Sequence, residues 1–284
     1  MNRIITFCFI SVMILVAFSS CSGDGDNGSS MNGEVTIATD SVVQTGSFKK
    51  SNGEVCDMKV TLVASYPQAF KDTATAEKLK QLFTTHLLKD PQGTTSVKDA
   101  MQRYAQSIVS QDTPSSAGDT HAVGDSLSID VDEIDIDRFE PRIVIKVVYN
   151  DNDLITFCKE ETISKNGQNT SVSHHYVSFD LQEMKRVALS DMFSDDSLNK
   201  LTAKLKEKLM DDKGASDEDE LNDLGYFNLP NLSVNGNFFF TSRGVTWSYD
   251  SSVIAVASVG EPTINIDYDD LEPFYCDNSI LKRM

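Results

Sequence analysis

The chain has 284 residues, with 43 acidic side chains against 25 strongly basic ones and a formal net charge of -18. This balance argues against a nucleic-acid-binding protein, because affinity for phosphate backbones comes mainly from Lys and Arg. It is compatible with a basic partner, since opposite charges steer association, and equally with a merely solubilising surface. The length allows one large domain or two small ones.

The first twenty residues have the pattern of a secretory signal. Arg3 precedes an apolar run over residues 4–18, which is shorter than the ~20 residues of a membrane-spanning helix. The following Ser19-Ser20-Cys21 resembles the lipobox of bacterial lipoproteins, in which the cysteine is acylated and the signal is cut before it. Cys21 is therefore the predicted lipidation site and membrane anchor. The alternative is an ordinary signal peptide that is cut elsewhere.

Residues 22–32 are rich in Gly, Ser and Asp and have no apolar periodicity, which is typical of a flexible tether. Acidic residues so close to the acylated cysteine resemble the surface-export signal of some Gram-negative lipoproteins. The predicted location is therefore the bacterial cell envelope, with the anchor in the outer membrane and display at the cell surface.

The first half predicts one strand followed by two helices. In residues 55–65 every second side chain, from Cys56 to Ala64, is apolar, which predicts a strand with one buried face. Tyr66-Pro67 is expected to end this strand. Residues 73–88 have apolar side chains at helical spacing, and Ser96 is placed to cap a second helix over residues 97–109. A polar stretch follows at 112–124. Residues 127–136 then alternate with a parity slip at Asp132-Glu133, where we expect a bulge.

The second half is rich in predicted strands. They span residues 143–149, 154–164, 174–181, 238–248 and 263–268, with a helix over 195–209 and an acidic exposed loop over 211–223. Strands and helices do not alternate as βαβ units, so the prediction is an α+β fold with a mostly antiparallel sheet. The predicted parts are a signal peptide at 1–20, the tether at 21–32, an N-terminal strand-helix-helix subdomain at 33–125 and a C-terminal domain at 126–284.

Cysteine and histidine positions give little sign of chemistry. Cys56, Cys158 and Cys276 remain after the signal and the anchor, so at most one internal disulfide can form, and Cys158 with Cys276 is the favoured pair. Their alternative role is that of small buried hydrophobic side chains. His174 and His175 are neighbours in a strand and should point to opposite faces, which disfavours a shared metal. His86 and His121 have no partner at ligand spacing.

The acidic and aromatic clusters also have structural interpretations. Asp130, Asp132, Glu133, Asp135 and Asp137 lack the Gly and final Glu of an EF-hand loop, so a solvated strand face is preferred to a calcium site. Asp267, Asp269 and Asp270 receive the same interpretation. Trp247, Tyr249 and residues 238–240 are predicted to fill the core rather than to line a groove. The sequence contains no standard catalytic motif, and we predict no catalytic residue, no cofactor and no metal site.

Several motifs of the second half occur in the order found in one family. They are YNDNDLI at 149–155, YVSFDL at 176–181, LSDMF at 189–193, GVTWSYD at 244–250 and INIDYDDL at 264–271. Together they resemble, over about residues 134–275, the domain of unknown function in the extracytoplasmic half of RsiV, the lysozyme-sensing anti-sigma factor. Residues 54–109 resemble the companion domain, which also occurs in some peptidoglycan deacetylases.

The resemblance implies a non-catalytic envelope protein that binds a protein, such as lysozyme, or a cell-wall glycan. Two features limit the resemblance. Residues 169–175 lack the Gly-Gly-Ala-His turn of many relatives. The apolar run at 4–18 is predicted to be removed with the signal, so we expect no signalling across the membrane by the RsiV route. The alternative function is a cell-wall hydrolase or other peptidoglycan-modifying enzyme that uses acidic residues which the sequence does not single out.

Overall fold

The structure is a computed structural model that describes residues 35–50, 53–94, 96–110, 136–229 and 232–284. It contains two sheets with helices packed against them, and the predicted α+β class with a mostly antiparallel sheet is confirmed. The described part of the chain has two hydrophobic cores. The first core lies under the larger sheet and the second under the smaller one.

The larger sheet has six strands in the order β1-β2-β3-β4-β5-β6. They are β1 (Thr36–Lys49), β2 (Val55–Ala69), β3 (Arg138–Asp151), β4 (Leu154–Lys165), β5 (Gln168–Asp180) and β6 (Lys185–Arg186). All neighbours pair antiparallel except β2 and β3, which are parallel. The two helices between β2 and β3 supply the long crossover connection that a parallel pair requires.

Strand β2 has the alternating burial that the sequence pattern of residues 55–65 predicts. Its buried residues alternate with more exposed ones, and the helices α1 (Thr73–Leu87) and α2 (Val97–Ser110) contribute their apolar faces to the same core. The prediction that Tyr66-Pro67 ends this strand is wrong, because β2 runs through Pro67 to Ala69. Beyond Ala64 it has only β1 as a strand neighbour, so the proline needs no N–H on its open side.

The strands β3, β4 and β5 form a long antiparallel meander. The tight turn between β4 and β5 is made by Asn166 and Gly167, both with positive φ, as a two-residue hairpin requires. Strand β5 begins at Gln168, earlier than predicted, so residues 169–175 form a strand with an irregularity near Ser164 instead of a turn.

The second core is built from short strands and from helices of 4 to 16 residues. They are α3 (Leu198–Lys213), α4 (Glu218–Asp223), β7 (Phe238–Phe240), β8 (Gly244–Ser248), β9 (Thr263–Asp267) and α5 (Tyr268–Leu271). The strands β7, β8 and β9 form the antiparallel three-stranded sheet. The stretch 211–223 is not a plain loop, because α4 forms within it, with its first N–H groups capped by the carboxylate of Asp217.

Three predictions fall outside the described residues. They concern the signal and tether at 1–32, the polar stretch at 112–124 with His121, and the alternating stretch at 127–135 with its acids and its bulge. The boundary between residues 125 and 126 also stays a prediction. Strands from both sides of that boundary belong to the six-stranded sheet.

Candidate functional site

A cleft of about 610 Å³ lies where the outer edge of β5 faces the second sheet and the loop that precedes β9. Hydroxyl side chains lie on both walls, with Thr170 and Ser171 on the β5 side and Ser248, Ser251 and Thr263 opposite. The remaining lining is small or aliphatic apart from three side chains with chemistry of their own: His174, Tyr176 and Glu261. Such a surface offers many hydrogen-bond donors and acceptors to a polar ligand.

His174 stands between two carboxylates at this cleft. Its Nδ1 lies 2.6 Å from Oε2 of Glu261, and its Nε2 lies 3.6 Å from Oε2 of Glu160. A neutral imidazole donates to one of these carboxylates, whereas an imidazolium donates towards both. The Glu160 carboxylate also pairs with Nζ of Lys146 at 3.2 Å, so the cluster contains two acids, one lysine and one histidine.

Local structure explains how residues so distant in sequence meet. His174 is directly opposite Glu160 in the β4–β5 register, and the two side chains therefore share one face of the sheet. Glu261 lies in the loop before β9, directly after Gly260, whose φ of 84° is a conformation that residues with a side chain rarely adopt. The Glu261 carboxylate also accepts a hydrogen bond from the backbone N–H of His174 at 3.0 Å.

Asn237 also binds the backbone of β5, next to Glu261. Its side-chain oxygen accepts from the backbone N–H of Tyr176 at 2.8 Å, and its amide nitrogen donates to the carbonyl of His174 at 3.0 Å. This pair of bonds imitates a neighbouring strand. Beside it, the rings of Tyr176 and Phe239 stack with centroids 4.4 Å apart. The two sheets are thus joined along β5 by polar bonds and one aromatic pair.

Tyr176, which lines the cleft, and Cys158, which lies opposite it in β4, are poor nucleophiles. Burial raises the pKa of the Cys158 thiol to about 11. Burial, followed by the neighbouring Cys158 and the carboxylates of Glu261 and Glu160, raises the pKa of Tyr176 above its ordinary value. Neither a thiolate nor a phenolate is therefore favoured there near neutral pH.

The structure separates His174 from the other histidines considered. Register and alternation place His175 on the opposite face of β5, beside Lys159 of β4, as predicted. The ring of His86 packs near that of Phe179, with centroids 5.9 Å apart, and does not line the cleft. Among the residues that the structure describes, no three His, Cys, Asp or Glu side chains group closely enough to hold a metal ion.

The other candidate residues have structural roles. Asp267 pairs with Arg243 at 2.9 Å and accepts from Asn265, whereas Asp269 and Asp270 lie in α5. Cys56, Cys158 and Cys276 are all free, and Cys56 and Cys158 are buried, in keeping with the alternative role of small hydrophobic side chains. Cys158 of β4 is buried beside Tyr176, while the thiol of the partly exposed Cys276 donates to the carbonyl of Ser190. The two sulfurs are therefore held by different elements.

The aromatic side chains follow the core prediction with one exception. Trp247, Tyr249, Phe238 and Phe240 are buried in the second core. Phe239 points the other way and stacks on Tyr176. Sequence reasoning missed three site residues, Glu160, Asn237 and Glu261. With 43 acids in the chain, no spacing distinguishes the two glutamates, and Asn237 is 63 residues from the carbonyl it binds.

The predicted anchor at Cys21 lies outside the described residues, and the structure leaves it a prediction. Within the described ranges, none of the helices is both long enough and apolar enough to cross a membrane.

Comparisons with known proteins match part of the second half to a family. Residues 190–269 match the family of proteins of unknown function DUF3298, and a sequence search of curated proteins gave no match. A crystal structure of a DUF3298 family member from Bacteroides fragilis has a TM-score of 0.64 and 18% identity, covering 89% of this chain and 98% of that one. A DUF3298 family protein from Pseudomonas aeruginosa has a TM-score of 0.53 and 13% identity, covering 86% and 97% respectively.

At such identities the two structures show similarity of fold alone. The family match includes α3, α4 and the three-stranded sheet, and thus one wall of the cleft, whereas β5 lies before it. The match confirms the coarser part of the resemblance that the sequence motifs indicated. Residues 190–269 of this chain are a DUF3298 domain.

Proposed function

We propose that this chain is a non-catalytic binding protein of the bacterial cell envelope, anchored through lipid on Cys21, and that the cleft beside β5 is its ligand-binding site. The observation that carries the proposal is the arrangement of His174 and Glu261 at a cleft with hydroxyl-rich walls. A polar cell-wall fragment or a polar protein segment is the matching ligand, because both present hydrogen-bonding groups.

The binding role is favoured over catalysis by the state of the groups at the cleft. The ring nitrogens of His174 face Glu261 and Glu160, and burial disfavours the thiolate of Cys158. None of these contacts pairs a nucleophile with a free base, which is the arrangement that covalent catalysis requires.

Titration with soluble peptidoglycan fragments tests the proposal directly. The chain from residue 33 onward is titrated calorimetrically, beside the variants His174→Ala and Glu261→Gln. We expect saturable binding that weakens by at least about tenfold in each variant, because a charge-assisted hydrogen bond contributes roughly 1.5–3 kcal/mol. The matched control is Lys98→Gln. Lys98 lies on the distant helix α2, and its substitution removes a partly exposed ion pair with Asp40 of β1. Equal affinity in all four proteins would refute the cleft as the site.

The alternative function is a cell-wall hydrolase, and the two carboxylates flanking His174 favour it, since glycoside hydrolysis uses a pair of acids. Incubation with insoluble peptidoglycan separates the two functions. Release of fragments that is lost in Glu160→Gln or Glu261→Gln would establish the enzyme. Release that survives both substitutions would indicate a contaminating hydrolase.

Lysozyme is the most specific ligand within this proposal. The resemblance to the lysozyme-sensing protein suggests it, and the net charge of -18 complements a basic enzyme. Titration at low and at physiological salt distinguishes specific binding from general attraction, because salt screens exposed charges. Saturable binding at physiological salt supports lysozyme as the ligand, and binding confined to low salt argues against it.

The anchor has its own test. In the full-length chain, Cys21→Ala should move the protein from the membrane fraction to the soluble fraction, because the acyl chains supply the membrane affinity. A variant that stays as membrane-bound as the parent would remove lipidation at this position from the proposal.

A further inference from the structure

Exposed apolar side chains concentrate on two neighbouring loops of the DUF3298 domain. They are Leu224, Phe227, Val253, Val256 and Val259, each between 36% and 51% exposed. Single exposed apolar residues are ordinary on protein surfaces, but a contiguous group marks an interaction site. We call these five residues the apolar patch.

The two loops that carry the apolar patch are bonded to each other. The backbone N–H of Phe227 donates to the carbonyl of Ile254 at 2.9 Å, and that of Val256 donates to the carbonyl of Gly225 at 2.8 Å. Buried Tyr226 bridges to buried Ala255 between them. The backbone that carries the apolar patch is therefore fixed before any partner binds, which lowers the entropy cost of association.

Gly225 brings two of the valines together. Its φ is 89°, and a β-carbon added to it would lie 2.9 Å from Cγ2 of Val256 and 3.4 Å from Cγ2 of Val259. Both side chains thus cover the glycine backbone from one side. The patch is a continuous surface there rather than a set of separate methyl groups.

Strong negative charge borders the patch. Residues 211–223, which end at α4 directly before Leu224, contain seven acids and one base. Glu218 is paired with Lys206, whereas neither Asp219 nor Asp223 has a salt-bridge partner in the described part of the chain. The rim beside the apolar residues is therefore open and acidic.

Charge decides among the occupants of this surface. An anionic membrane would be repelled by the acids of α4. A second copy of the chain brings the same acidic charge, which opposes self-association. A basic protein is attracted by the rim and can place an apolar side chain on the patch, which is the usual arrangement of an apolar centre within a charged rim.

We propose that the apolar patch and α4 form a docking surface for a basic protein that presents an exposed apolar side chain among Lys and Arg residues. This inference rests on the proposed binding function but assigns a second surface, separate from the cleft. The loop 250–262 connects the two, because Ser251, Ala257 and Glu261 line the cleft while Val253, Val256 and Val259 belong to the patch.

The test is photo-crosslinking of the full-length chain in its own bacterium. A photoreactive amino acid replaces Leu224 in one variant and Val253 in another, and Val43 of β1, which is 50% exposed, in the matched control. Adducts are isolated and identified by mass spectrometry. We expect one basic protein crosslinked at both patch positions and absent from the control. Adducts only with lipid, with a second copy, with the chain itself or with an acidic protein would overturn the proposal, as would no adduct.

Two further variants separate this surface from the cleft. In the Leu224 crosslinking background, Asp219→Asn with Asp223→Asn should lower the yield several-fold, because rim charges raise the association rate. His174→Ala should leave the yield unchanged while weakening ligand binding in the cleft. An unchanged yield in the double Asn variant would overturn the role of charge. A yield lost with His174→Ala would mean that the patch is not a separate surface.

Discussion

The two hydrophobic cores of this protein are assembled from elements of different kinds. The first core is covered by strands of 12 to 15 residues and two helices of 14 and 15 residues, whose buried side chains recur with regular periods. The second core combines the 16-residue helix α3 with strands of only three to five residues. The longer elements present many equivalent contacts, whereas the shorter ones depend on a few close approaches.

The joint between the two regions has a third character. It is mostly polar, consisting of the bonds from Asn237 and Glu261 to the β5 backbone and of a buried ion pair between Asp180 and Arg283. Polar joints of this kind specify one orientation, because each group left unpaired in a buried place costs free energy. A loss of one contact should therefore have its largest effects in the second core and at the joint.

Gly244→Ala should be the most damaging single substitution in the second core. A β-carbon there would overlap the carbonyl oxygen of Ile266 and lie 2.7 Å from its carbonyl carbon, so β8 and β9 would have to separate. Because the obstacle is backbone, we expect a loss of about 3 kcal/mol in the free energy of unfolding. Urea denaturation monitored by Trp247 fluorescence measures it.

Two alanine substitutions test whether this loss reflects the region. A β-carbon at Gly236 meets no heavy atom within 4 Å, so Gly236→Ala is the neutral control. At Gly46 in β1 the β-carbon would meet the side chain of Val109 on α2, which can shift. We expect an intermediate loss there. If Gly46→Ala proved as costly as Gly244→Ala, the contrast between the two cores would not hold.

Arg283→Met should rank next. The side chain of Asp180 is 0% exposed, and its carboxylate accepts two hydrogen bonds from Arg283, at 3.2 and 2.5 Å. Burial opposes its ionisation, but Arg283 and the backbone N–H groups of Gln182 and Glu183 outweigh it, so the pKa of Asp180 lies below its ordinary value. Removing the arginine leaves a buried charge, at a cost of about 3 kcal/mol.

The exposed pair of Arg243 and Asp267 provides the matched control. Their N···O distance is 2.9 Å, but the side chains are 77% and 43% exposed. Arg243→Met should cost less than about 1 kcal/mol. Thermal unfolding of both variants against the parent measures the difference. Similar losses would mean that burial does not set the strength of these pairs.

Asn237→Ala should have a smaller effect confined to the joint. It removes the two bonds to the β5 edge and leaves the N–H of Tyr176 and the carbonyl of His174 without their partner. We expect a loss of about 1–2 kcal/mol, together with faster hydrogen exchange of the Tyr176 amide. Asn169→Ala, which removes an exposed contact with Ser164, is the control. An unchanged exchange rate at Tyr176 would contradict the strand-like role of Asn237.

The same contrast explains which parts of the fold were predictable from sequence. Both helices of the first core were located from apolar spacing, because a helix of 14 or 15 residues repeats its signal several times. The extension of β2 through Pro67 was missed, since it depends on the pairing with β1, which continues after the pairing with β3 has ended at Ala64. The capped helix α4 was missed because it is mostly acidic, and its one buried residue, Leu221, gives no apolar periodicity.

The site was less predictable than the fold. His174 was considered from sequence, but its partners Glu160 and Glu261 are brought to it by a strand register and by a turn after Gly260. Neither event leaves a local pattern in a chain with 43 acids. The state of the cysteines is unpredictable for a similar reason, because the number of cysteines does not show which sulfur atoms lie close together.

His86 should give the smallest effect, and it concerns pH. Desolvation by burial, followed by the charge of Arg186, lowers the pKa of His86 below its ordinary value. The unfolded chain therefore binds a proton near pH 6.5 while the folded chain still excludes it, so the free energy of unfolding must fall as pH decreases below about 6.5. His86→Gln should flatten the stability curve between pH 7 and 5. Urea denaturation at several pH values measures the slope, which the substitution alters whatever it does to packing against Phe179. A variant with the same slope as the parent would show that other groups cause the acid sensitivity.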